Sequence, residues 1–172
     1  MYNTTSRYAL MAVFALSAIV SLVYDQYQLA AIAGFLFAFI LWSHFKHGSV
    51  VLASKYFKDK DYERTEKALD EIANPDRLAK NRRGYYEFMR ANIALQRQDY
   101  DVAEFHFQIA SRFPLGGKND KAFVLINLAN LALRKKDKQR ATAYVEKAKE
   151  LATTSRAQEI IKKIEKEAND LA

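Results

Sequence analysis

The chain has 172 residues, half of them apolar, with 27 Lys and Arg against 20 Asp and Glu and a formal net charge of +7. Five Gly, two Pro and no Cys suit long helices and exclude disulfides, thiolate nucleophiles and Cys-ligated zinc. The charge is segregated: Arg7 and Asp25 are the only charged side chains before Lys46 and they cancel, so the whole excess lies from Lys46 onward.

Residues 8–24 form an uncharged run of 17 and residues 26–45 one of 20. A helix needs roughly 17–25 apolar residues to cross a bilayer core. These runs predict a two-helix transmembrane hairpin over residues 1–47, closed by a tight turn around Asp25-Gln26-Tyr27-Gln28. Tyr8 and Trp42 would sit at one interface, and Tyr24 and Tyr27 at the other. A cleavable signal peptide fits poorly, because no small-x-small site follows the first run and a second run comes at once. Arg7, Lys46, Lys55, Lys58 and Lys60 flank the outer ends, while the connection has no Lys or Arg. The positive-inside rule then places both termini in the cytoplasm and the hairpin in the cell (inner or plasma) membrane. Ala30, Gly34 and Ala38 make a small-residue stripe, with Ala12, Ala15, Ala18 and Ser21 as its candidate mate, which predicts that the hairpin packs on itself. His44 and His47 have a spacing that could serve a metal but no third ligand in sight, and read as interfacial anchors.

From Lys46 onward the chain repeats at 38 residues. Ala53, Ala91 and Ala129 fall in register, as do Phe57, Leu95 and Leu133, and Asp61, Asp99 and Asp137. So do Thr65, Ala103 and Ala141, then Leu69, Phe107 and Val145, then Ile72, Ala110 and Ala148. A fixed period of this size is the mark of a helical-repeat solenoid. Each copy reads as two helices, with the Asp capping the second because its carboxylate accepts orphan backbone N–H groups. Asn74-Pro75 and Phe113-Pro114-Leu115-Gly116-Gly117 break the chain between copies. The last segment puts Ala157, Ile160, Ile161, Ile164, Ala168 and Leu171 on one face with Lys and Glu opposite, the pattern of a capping helix. The second span runs almost directly into the first copy through His47-Gly48, leaving the bilayer or the hairpin to cover that end. The fold predicted is all-α: the hairpin, then about three 38-residue repeats with a C-terminal capping helix over residues 48–172.

Asp99-Tyr100-x-x-Ala103-x-x-x-Phe107-x-x-Ala110, with Pro114 following and Ala91 before, resembles the tetratricopeptide repeat over about residues 46–152. The chain departs from that family in its period, usually 34, in lacking the first-helix Trp, and in having Lys138 where Tyr is expected. The resemblance implies that first helices line a concave groove for an extended peptide or a partner helix. Here the groove would offer Tyr85, Phe88 or Met89, Asn92 and Gln96, and beside them Phe123, Asn127, Asn130 and Arg134. Phe88 with Asn92, and Phe123 with Asn127, are expected to repeat one arrangement in adjacent copies. Phe88 stands where carboxylate-clamping members carry Lys, which favours a groove of aromatic and amide groups.

No catalytic constellation and no cofactor site is read. Gly116-Gly117-Lys118 lacks the preceding strand and the spacing of a phosphate loop. His106 reads as partly buried packing. The basic run from Arg134 to Arg140 and the pair Arg82-Arg83 suit anionic lipid headgroups, and a lack of interleaved aromatics argues against nucleic acid. The expectation is a membrane-anchored adaptor or scaffold that binds a partner protein. The alternative is an accessory subunit of a larger membrane complex, docked through the hairpin.

Overall fold

The computed structural model describes residues 4–170, and all the regular structure among them is helical. The helices are α1 (Thr4–Val23), α2 (Tyr27–His47), α3 (Val50–Lys58), α4 (Tyr62–Asp70), α5 (Lys80–Gln96), α6 (Tyr100–Arg112), α7 (Lys118–Arg134), α8 (Lys138–Leu151) and α9 (Ser155–Asp170), with a 3-10 turn at Pro75–Arg77. They gather into two compact units, residues 1–82 and 83–172, divided within the first turn of α5.

In the first unit, α1 and α2 pack as an antiparallel pair. Both are long and apolar enough to cross a membrane, with mean hydropathy 1.8 and 1.7. Shielded positions in alternation are Arg7, Met11, Phe14, Ala18 and Ser21 on α1, and Ala30, Ala33, Phe37, Ile40, His44 and His47 on α2, with Leu10, Ala15, Gly34, Leu36, Leu41 and Ser43 part-shielded beside them. The alternating spacings of three and four are those of a heptad seam. The small-residue stripe holds in part: Ala30 is buried and Gly34, Ala15, Ala18 and Ser21 are part-shielded, but Ala12 and Ala38 are exposed and a Cβ on Gly34 would meet nothing within 4 Å. Most of the surface away from the seam is apolar and open, as at Leu16 (62 %) and Phe35 (70 %). Such a surface is unsuited to water and suited to lipid. The hairpin turns at Asp25, in a left-handed conformation with φ 56°. The Gln26 N–H donates to Ser21 O at 2.8 Å and the Asp25 N–H to Leu22 O at 3.2 Å, the two bonds of a Schellman stop.

The same stop recurs in the helix pairs. Lys60, Gln98 and Lys136 have φ of 60°, 61° and 58° and stand 38 residues apart. In each case the next N–H, of Asp61, Asp99 or Asp137, donates at 2.9 Å to the carbonyl five residues back. Each Asp side chain then caps the following helix, accepting from the N–H of Arg64 (3.0 Å), Val102 (3.2 Å) and Arg140 (2.9 Å). Helices α4, α6 and α8 all begin one residue later, again 38 apart. The ladder of small and apolar residues is interior: Ala53, Ala91, Ala129, Thr65, Ala103 and Ala141 are all fully buried. Phe107 and Leu69 are fully buried and Val145 nearly so, whereas Ile72 is only partly shielded. Helix α3 is the short member, at nine residues against seventeen in α5 and α7. The 38-residue register would start it at Trp42, but residues 42–47 belong to α2.

In the second unit one core joins α5 to α9 through Phe107, Leu128, Val145, Ile161 and Ile164. Gly84 permits a close approach there: a Cβ would stand 2.7 Å from Pro114 O and 3.2 Å from the Phe113 Cβ. Helix α9 buries Ala157, Ile161, Ile164 and Ala168 against α7 and α8 and turns its Lys and Glu outward. Leu171, expected on that face, lies outside the described residues.

Candidate partner-binding site

The nine residues expected to line a groove lie on α5 and α7, all within the second unit, and the structure separates them by exposure. Met89 is buried to 1 % and belongs to the core, so it has no surface to offer a partner. Phe88 is half-buried, with its ring edge-on to Phe107 at 6.3 Å, and Phe123 packs on the same core. Both are part structural, part surface. Tyr85 bridges elements: its hydroxyl donates to Asp120 Oδ2 at 3.2 Å and accepts from the Gly116 N–H at 3.0 Å. Gln96 is exposed at the end of α5.

The asparagines are tied to their own helices. Asn92 Nδ2 donates to Phe88 O at 2.7 Å and Asn127 Nδ2 to Phe123 O at 2.9 Å. These bonds orient each amide and leave its oxygen as an acceptor. The two Phe–Asn pairs are nevertheless not equivalent. In the 38-residue register Phe88 corresponds to Ile126 and Asn92 to Asn130, so the Phe123–Asn127 pair stands almost one turn earlier on its helix. The equivalence expected from sequence is corrected accordingly: Ile126 is buried to 3 %, and Asn130 is the true counterpart of Asn92.

Asn127, Asn130 and Arg134 do come together. With Leu95, Tyr100 and Glu167 they line a cleft of ≈ 510 Å³ in the second unit. The Arg134 guanidinium lies over the Tyr100 ring at 3.9 Å, a cation–π stack that fixes the cation and leaves its edge donors available. The cleft therefore combines aliphatic contact, two amides, an immobilised guanidinium and one carboxylate.

Two buried charge clusters support this unit. Glu87, 1 % exposed, accepts from Arg83 Nη2 at 2.8 Å and from His106 Nδ1 at 2.5 Å. Sequence reading passed over Glu87, although its register mates are Ser49 and the buried Leu125, and a carboxylate at a core position is a signal in itself. Glu104, 7 % exposed, accepts from Lys135 Nζ at 2.7 Å, from Arg140 and from Gln108. Burial works to raise the Glu104 carboxyl, but the hydrogen bonds from Lys135 and Arg140 prevail and hold it below the ordinary carboxylate range. Lys135 is raised in turn by its bonds to Asp101 and Glu104. The basic run is thus partly neutralised, tying α6 to the start of α8 rather than standing as a free cationic face.

At the hairpin, the His44 ring lies 5.3 Å from that of Tyr8, and His47 Nδ1–H donates to Ser43 O at 3.3 Å. Among the described residues no group of three or more His, Asp or Glu gathers as a metal would require. No protein-family model, no curated protein and no solved structure matches the chain.

Proposed function

We propose that this protein is a membrane-anchored adaptor built on tetratricopeptide-like repeats, holding a partner protein at the cytoplasmic face of the membrane. The observation that carries the reading is the recurrence of one helix–turn–helix design at 38-residue spacing, with matching left-handed stops and Asp caps. Repeats of this kind bury a continuous core by stacking and leave their first helices to line a binding surface. The cleft on α7, with its amides and stacked Arg134, supplies a surface of that chemistry. Tyr100, Asn127, Asn130 and Arg134 are the residues through which a peptide or helix would be held. Catalysis plays no part in this reading.

One observation favours the accessory-subunit alternative. Phe35, Phe39 and Trp42 form a row of neighbouring rings on the open face of α2, with centroids 6.5 and 6.2 Å apart. Rigid aromatics on a lipid-exposed face can equally dock a neighbouring membrane helix. A photo-crosslinking residue placed at Asn130, and separately at Phe39, distinguishes the two in native membranes. The adaptor reading predicts a discrete adduct from Asn130 that is lost on Arg134→Glu. Adducts from Phe39 alone would replace the adaptor with the subunit.

A further inference from the structure

At the open end of the hairpin, α1, α2 and the segment following α4 enclose a pocket of ≈ 200 Å³ within the first unit. Its construction starts with Gly48, at φ +52°, where a Cβ would lie 3.1 Å from Leu78 and 3.2 Å from Ile72. Only glycine lets the segment approach the end of α2 this closely. Arg7 Nη1 then donates to Gly48 O at 2.8 Å, and the Ala79 N–H donates to Lys46 O at 2.9 Å. The loop bearing Arg77 is held by its own caps: Asn74 Oδ1 accepts from the Asp76 N–H at 2.9 Å, and Pro75 O from the Leu78 N–H at 3.1 Å.

Two groups in this pocket have a chemistry that the fold does not use up. The Arg77 guanidinium lies over the Phe45 ring at 5.4 Å, a stack that keeps its in-plane N–H donors at the exposed edge. His44 Nδ1 is buried and has no hydrogen-bond partner among the described residues. Buried polar nitrogens are nearly always partnered. The carboxylate in the lining, Glu71, is already engaged: it accepts from Ser49 Oγ at 2.5 Å and lies in the field of Arg7. A guanidinium edge and an imidazole nitrogen beside a carboxylate already hydrogen-bonded by Ser49 suit a phosphate diester, which takes bidentate bonds from Arg and a further bond from His.

We propose that this pocket binds the phosphate of a membrane phospholipid headgroup, paired with Arg77 and hydrogen-bonded by His44. The proposal rests on α1 and α2 being membrane spans, since only then does their open end lie at headgroup depth. The full chain, reconstituted in vesicles of equal phosphatidylglycerol and phosphate-free galactosyl diacylglycerol, provides the test. Lipid retained after extraction in mild detergent is counted by mass spectrometry of the intact protein, and vesicle flotation is measured in parallel. Wild type should retain the phospholipid roughly tenfold over the glycolipid, the effect of one charged hydrogen-bonded contact. Arg77→Gln and His44→Phe should bring the two lipids near parity, and Arg77→Lys should restore part of the preference. Arg64→Gln, which removes a guanidinium stacked on Tyr56 elsewhere in the unit, should change nothing. Equal retention of the two lipids by a wild type that floats would overturn the pocket alone. Displacement of the phospholipid by inorganic phosphate would make the ligand a soluble phosphate, and also overturns it. A chain that does not float overturns the spans and the pocket together.

Discussion

Lys60, Gln98 and Lys136 occupy a left-handed conformation that costs a side chain with a Cβ about 1–2 kcal/mol. Glycine would relieve that strain and return part of the gain as unfolded-chain entropy. Gln98→Gly should therefore stabilise the second unit by about 0.5–1 kcal/mol, read as a higher urea midpoint at unchanged slope; a lower midpoint would mean that the Gln98 side chain contributes more than its backbone strain costs. The Asp caps beside these stops were legible in the sequence, because an Asp before a helical pattern has few other uses. The left-handed residues were not, because Lys and Gln carry no turn signal. Glu104 gives a second test at this scale. Its folded carboxyl lies below the ordinary value of 4.5, so the unfolded chain binds the proton first on acidification. Its contribution is complete above the unfolded value and fades as pH falls through the folded one. Glu104→Gln should cost about 1–2 kcal/mol at neutral pH and flatten the acid limb of stability against pH. An unchanged acid limb would remove Glu104 from the account.

At the scale of elements, α9 was readable because its apolar positions recur on one face, and Ile161 and Ile164 are indeed almost fully buried. Deleting residues 155–172 should forfeit about 3–6 kcal/mol of apolar burial, exposing the α7 and α8 surface beneath. The expected result is rapid proteolysis of the second unit with retained membrane insertion; unchanged protease resistance would show that α9 covers nothing essential. The hairpin was readable from its length and composition, but its packing face only in part. A four-residue spacing of small residues competed with a heptad seam, and Phe14, Phe37 and Ile40 between the helices decided for the seam. Gly84 has a similar lesson. Nothing near it in sequence asks for glycine, and its reason, Pro114 O thirty residues on, exists only once the chain has folded.

For the whole molecule, composition divides the chain near His47, where lipid-like sequence gives way to water-like sequence, whereas compactness divides it after Arg82. The difference arises because α3 begins three residues after α2 ends, so α3 and α4 fall within the same compact unit as the hairpin. The 38-residue recurrence was legible in the caps and in most core positions, but not in the stops or in the shortening of α3. The cleft was legible only in part. Asn127, Asn130 and Arg134 line it, but Tyr100, Leu95 and Glu167 come from other helices and no single-helix pattern could announce them. In the proposed topology a membrane hairpin presents the repeats to the cytoplasm. The chain has no Cys, so single cysteines report without background. A cysteine replacing Gln26, in the hairpin turn, should react with a membrane-impermeant thiol reagent in intact cells. One replacing the exposed Asn169 of α9 should react only after lysis. Labelling of Asn169→Cys in intact cells, with Gln26→Cys protected, would contradict the account.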